Sequence, residues 1–145
     1  MAGYMTKLQG YVFEGEKILG EGDNAKNGQI LALASDGAAL EHAAINDVDA
    51  VCVEVGTIYD GKPAARFVVT KVVGPAYFVE NVYAVNNSAE DYNLEEGDKD
   101  AAGIAPGKKL RAHQLLLGEE FVTDQYANAP TVGTAYHVNA NGMLA

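Results

Sequence analysis

Glycine punctuation is the feature that most constrains this chain. Sixteen glycines are spread along its length and cut the apolar residues into short runs. Runs of this kind, rich in Val, Ile, Tyr and Phe, build short strands joined by turns. Gln29 to Ala34 reads as a strand, and Ser35-Asp36-Gly37 closes it with a hairpin-type turn. In Val48 to Ile58, Val51, Val53 and Val55 alternate with Cys52 and Glu54, and Tyr59-Asp60-Gly61-Lys62-Pro63 is a turn.

Ala65 to Val73 and Tyr77 to Val85 form the firmest strand pair, broken by Gly74-Pro75. Both faces of the second run are partly apolar, which predicts burial between two layers or a face held for a partner. Glu120 to Gln125 and Thr134 to Val138 read as a closing hairpin with its bend at Asn128-Ala129-Pro130. Two segments are ambiguous. Ala38 to Asn46 has the alanine content of one or two helical turns, and Leu110 to Leu117 fits helix or strand. The flanking Gly107 and Gly118 favour a strand or a short irregular piece for the latter.

The expected fold is therefore mainly β: a small β-barrel or β-sandwich with short helical segments and a long acidic loop, one domain over residues 1–145. A chain of this length buries roughly 70% of the surface its unfolded form exposes, so it needs no disulfide or metal to hold a core. Its 48% hydrophobic and 21% charged residues are ordinary globular composition.

Charge narrows the partners. Twenty acidic residues against ten basic ones give a formal charge of −10. That balance argues against nucleic acid and against an anionic membrane, both of which need clustered Lys and Arg. It suits a partner with basic surface, or simply keeps the free protein soluble. No window approaches the ~18 apolar residues of a membrane span. Gly10, Glu14, Gly15 and Glu16 interrupt the N-terminal region too early for a signal peptide, so synthesis in the cytoplasm is the expectation.

The acids concentrate between Asn86 and Gly107, which reads as a long surface loop. Loops beyond about 12–15 residues usually carry a role. Glu90, Asp91, Tyr92, Glu95, Glu96, Asp98 and Asp100 are the candidate partner-contact residues, with a solvated loop as the alternative. Asp98-Lys99-Asp100-Ala101-Ala102-Gly103 opens like a calcium loop but has Ala102 at its fifth position and Lys109 at its twelfth, where a bidentate Glu is required.

No catalytic residue, cofactor site or metal site is expected. The histidines His42, His113 and His137 are scattered, without a Cys or second His at ligand spacing. Gly107-Lys108-Lys109 lacks the Ser or Thr of a P-loop. Glu119 and Glu120 are adjacent in a strand and so face opposite sides, unlike paired catalytic carboxylates. Cys52, the one cysteine, lies in Val51-Cys52-Val53 and reads as a small apolar core residue.

One echo runs through the chain. Gly28-Gln-Ile-Leu-Ala-Leu-Ala-Ser-Asp-Gly37 and Gly133-Thr-Ala-Tyr-His-Val-Asn-Ala-Asn-Gly142 each open on glycine and stop, nine positions later, at a turn that needs positive φ.

These phrases, with Gly118-Glu119-Glu120-Phe121-Val122 and the closing Asn141-Gly142-Met143-Leu144, resemble the small, acidic, glycine-punctuated β proteins that decorate the capsids of tailed bacteriophages. The resemblance implies a non-enzymatic virion protein. It would be made in the host cytoplasm, bind the major capsid protein on the outside of the head and brace the shell. It implies no cofactor. It leaves the oligomeric state open, dimer or trimer included, because no arm rich in Pro, Ser and Thr precedes the first strand. Two other readings stand beside it: another phage structural subunit, such as a tail-tube or head-completion protein, and a small β-barrel ligand-binding domain.

Overall fold

The computed structural model describes residues 3–7, 12–18, 24–59, 62–80, 104–107 and 109–145. Every regular element among them is a strand: β1 (Gly3–Lys7), β2 (Val12–Ile18), β3 (Ile30–Leu33), β4 (Ala39–Glu41), β5 (Ile45–Tyr59), β6 (Lys62–Val72), β7 (Tyr77–Val79), β8 (Lys109–Gln114), β9 (Glu120–Thr123) and β10 (Ala135–Val138). The mainly β expectation holds. The short helical segments do not appear among the described residues.

The strands form two sheets. Five close into a barrel in the order β2-β4-β3-β7-β8, and β8 returns to pair with β2. All barrel pairs are antiparallel except β2 with β4. The other five make an open sheet, β1-β9-β6-β5-β10. Its spine is the long β5–β6 hairpin, with three register irregularities along its length. Each lets one strand gain a residue on its partner and strengthens the local twist.

Alternation decides which core each residue joins. Tyr77 and Val79 point into the barrel, beside Leu31, Leu40, Leu110 and Ala112. Phe78, between them, belongs to the second core, which lies where the barrel packs on the open sheet. All three are buried, as the two-faced apolar pattern of this run requires. Residues 81–85 of that run lie outside the described residues. Three phenylalanines lace the interface. Phe67 of β6 stacks on Phe121 of β9 at 5.6 Å, and Phe78 of β7 meets Phe121 at 4.9 Å.

One ambiguity is resolved and two expectations are corrected. Ala38 to Asn46 is not helical: Leu33 pairs with Leu40 across the hairpin turn, and Ala39 and Leu40 are buried as β4 of the barrel. Packing outweighs the modest helix propensity of so short a segment. Ala65–Val72 and Tyr77–Val79 are strands but not partners: β6 joins the open sheet and β7 the barrel, with Gly74-Pro75 as the corner where the chain changes layer. Nor do Glu120–Gln125 and Thr134–Val138 form a hairpin. β9 pairs with β6 and β10 with β5, so the two flank the central hairpin from opposite sides. A turn-rich connection reads alike in sequence whether it closes a hairpin or crosses a sheet.

The echo has a structural counterpart. Gly28, Gly37, Gly133 and Gly142 all have positive φ, between 72° and 91°. The two phrases also touch, since the Ile30 amide donates to the Gly142 carbonyl at 2.9 Å.

Candidate functional site

The acidic residues singled out above, Glu90, Asp91, Tyr92, Glu95, Glu96, Asp98 and Asp100, lie outside the described residues, as does the calcium-like start at Asp98. The described residues offer three kinds of feature: buried polar contacts, surface ion pairs, and exposed apolar side chains with a shallow groove.

The buried contacts form a seam between the layers. The Gln29 side chain, 4% exposed at the entrance to β3, is held on three sides. Its Oε1 accepts from the Lys26 amide at 3.0 Å and lies 2.9 Å from His42 Nε2. Its amide Nε2 donates to Gln125 Oε1 at 3.3 Å. Thr123 Oγ1 donates to the Gly28 carbonyl at 2.8 Å and accepts from the Gln125 amide. β3 belongs to the barrel and Thr123 to β9 of the open sheet, so these bonds join the layers where apolar packing alone would leave backbone groups unpaired. An acceptor at Gln29 Oε1 places the proton of neutral His42 on Nε2.

The other histidines lie elsewhere. His113, 1% exposed on β8, faces Glu80 Oε1 at 3.0 Å through Nε2, and its Nδ1 is buried with no hydrogen-bond partner. It stands opposite Phe78 in the ladder and serves as a packed imidazole. His137, half exposed on β10, lies against Asp49 Oδ1 of β5. Among the described residues no three His, Cys, Asp or Glu side chains come together as a metal site. Cys52 is fully buried in the interface core, and burial pushes its thiol pKa up.

On the outer face of the open sheet, Arg66 of β6 bridges Glu120 of β9 at 2.7 Å and Glu54 of β5 at 3.1 Å. The two carboxylates hold its guanidinium pKa above the usual range, Glu120 most strongly. Glu119, just before β9, is turned inward instead. It is fully buried, and its Oε1 accepts from the Leu116 amide at 2.6 Å.

Two large apolar side chains stand out from the surface. Val73 is 73% exposed and Leu117 64%, the largest exposures among the big hydrophobic residues described. They sit on neighbouring turns laced together at both ends. The Leu115 amide donates to the Ala76 carbonyl, and Gly118 and Val69 are joined by a second bond. Pro75, also exposed and two residues after Val73, lines a shallow open groove of about 350 Å³. The groove is lined by Ala32, Leu33, Ala44, Asn46, Asp47 and Pro75 among others. The Asp47 carbonyl accepts from the Val73 amide at 2.8 Å. Its carboxylate lies so close over Gly74 that a Cβ there would sit 2.8 Å from Oδ2.

The exposure of Leu117 was not expected from the sequence. Its one signal is the run Leu115-Leu116-Leu117: Leu115 is buried and Leu116 half-buried, which leaves the third leucine for the surface. No family model, curated protein or solved structure matches the chain.

Proposed function

We propose that this chain is a structural virion protein that binds the outer surface of a tailed-phage capsid and braces the shell, with the major capsid protein as its partner. The carrying observation is the strong exposure of two large apolar side chains, Val73 and Leu117, on an acidic body. Single exposed apolar residues are normal on any surface. Two this exposed, on segments joined by backbone hydrogen bonds, suit a protein contact. The formal charge of −10 matches a basic surface on the partner. Purified protein mixed with expanded, undecorated capsids is expected to bind saturably and to raise the temperature at which the shells rupture. Absence of binding to every expanded shell tested rejects the proposal.

A second reading, a tail-tube or head-completion subunit, is favoured by the β5–β6 hairpin. Its pairs Gly56↔Ala64, Thr57↔Pro63 and Tyr59↔Lys62 have no third strand beside them among the described residues. An unsupported hairpin end suits insertion into a neighbouring subunit. Negative-stain images separate the two: a tube or ring subunit assembles by itself, whereas a decoration protein stays small.

A further inference from the structure

We infer that Asn141 is a site of spontaneous deamidation, where the exposed side-chain amide closes onto the backbone of Gly142 and is then hydrolysed. The other Asn-Gly pair, Asn27-Gly28, is held shut by the fold.

The chemistry favours a glycine after the asparagine. The Gly142 backbone nitrogen, having given its proton to a solvent base, attacks Cγ of Asn141. A bond forms between that nitrogen and Cγ, the Cγ–Nδ2 bond breaks, and ammonia leaves with a proton from water. Water then opens the succinimide ring at either carbonyl and leaves aspartate or isoaspartate. Nothing is oxidised or reduced, and water is the only co-reactant. Glycine lets the nitrogen approach, because no Cβ stands in the way.

The two pairs differ in what holds them. Asn27 is 3% exposed. The Gly28 amide donates to the Val79 carbonyl of β7 at 2.9 Å, and the Gly28 carbonyl accepts from Thr123 Oγ1 of β9 at 2.8 Å. Barrel and open sheet therefore grip this glycine from both sides, and its nitrogen is released only when the seam opens. Asn141 is exposed, on the turn between β10 and the closing residues Met143 to Ala145. Asn139 closes that turn, its Oδ1 accepting from the Asn141 and Met143 amides. The Asn141 side chain takes no part in those bonds. The Gly142 amide donates to the Asn139 carbonyl at 3.0 Å, a partner within the same turn. The peptide plane that must rotate carries the Asn141 carbonyl and the Gly142 amide. The Gly142 carbonyl, which the Ile30 amide binds, lies on the next plane. Flexing of an exposed turn therefore frees this nucleophile more readily than opening the seam frees Gly28.

Isoaspartate at this position adds a methylene to the backbone and one negative charge. It displaces the Gly142 carbonyl from the Ile30 amide and draws Met143 to Ala145 off the edge of β10. In the unmodified chain that edge is covered: the His137 amide donates to the Ala145 carbonyl, and the Ala145 amide to the His137 carbonyl. Modification of Asn141 thus turns a paired strand edge into an open one.

The test holds the purified protein in warm, mildly alkaline buffer and follows each asparagine by peptide mapping and mass spectrometry, with the urea-unfolded chain alongside. In the folded protein Asn141 is expected to deamidate at least about tenfold faster than Asn27. In urea the two should react at similar rates. Asn141→Gln, whose longer side chain would have to form a larger ring, should remove the fast product and leave melting unchanged. In the isolated isoaspartyl form, hydrogen exchange should be faster at the amides of Ile30, His137 and Ala145. An intact Asn141 in the folded protein, or equal rates at Asn141 and Asn27, overturns the site. Unchanged exchange at those amides overturns the opening of the β10 edge.

Discussion

The Phe78 ring of the barrel lies 4.9 Å, centroid to centroid, from the Phe121 ring of the open sheet, with the ring planes inclined by 42°. Phe121 in turn stacks on Phe67, which meets Tyr136 edge-on. This aromatic chain crosses the interface from β7 through β9 and β6 to β10, so the docking of the layers depends on it more than either sheet does.

Phe121→Ala is therefore expected to cost about 3–5 kcal/mol, because it removes contacts to both neighbours and leaves a cavity at the interface. Val55→Ala, at a position 47% exposed, should stay within about 0.5 kcal/mol. Urea unfolding followed by fluorescence and by circular dichroism measures both. Equal midpoints for the two variants would contradict the interface role of Phe121.

Gly142→Ala should destabilise more than Gly37→Ala. Both glycines have positive φ, 78° and 72°, so both substitutions are strained by about 1 kcal/mol. A Cβ at Gly37 meets nothing within 4 Å, whereas at Gly142 it would lie 3.2 Å from the Ile30 carbonyl oxygen and from His42 Cδ2. The difference between the two melting temperatures isolates the steric part.

Stability should fall on the alkaline side. Burial raises the Cys52 thiol pKa above its ordinary 9.0 and that of the Tyr126 phenol above its ordinary 10.0, the latter helped by Asp124. For an acid whose folded pKa is raised, the contribution is full below the unfolded pKa and is lost as pH rises through the folded one. The window therefore opens near pH 9 for Cys52 and near pH 10 for Tyr126. Cys52→Val should flatten the decline between pH 8 and pH 10 in urea titrations, and an unchanged slope would show that ionisation of this thiol is not what limits the fold.

Gln29→Leu tests the seam. It leaves the Lys26 amide and Gln125 Oε1 without a partner they have in the wild type. A cost of about 1–3 kcal/mol is expected. Faster hydrogen exchange at the amides of Ile30 and Gln125, with barrel-core amides unchanged, would place the loosening at this junction.

The sequence carried the strands well where alternation or continuous burial made them unambiguous, as in Ile45–Tyr59 and Tyr77–Val79. It carried the glycine turns too, because positive φ at Gly37 and Gly142 leaves a chemical mark in Asp-Gly and Asn-Gly. Partner choice was not legible. Nothing local tells Val72 and Tyr77 that they belong to different sheets, because that is settled by what Phe67 and Phe78 each find across the core. The exposure of Leu117 was hidden for the same reason. Leu117 is exposed only because Leu115 and Glu119, on either side of it, are drawn inward.

The order of strands in the two sheets has a consequence for how the molecule comes into being. The barrel draws on β2, β3, β4, β7 and β8, and the open sheet on β1, β5, β6, β9 and β10. The chain therefore leaves each sheet unfinished more than once while it builds the other. Neither sheet can close early in synthesis, since β8 must return to β2 and β9 to β6 before either is complete. Folding governed by such distant pairings is slow and cooperative. Once closed, the same interlacing means that a protease nicking any exposed turn must unravel both layers or neither.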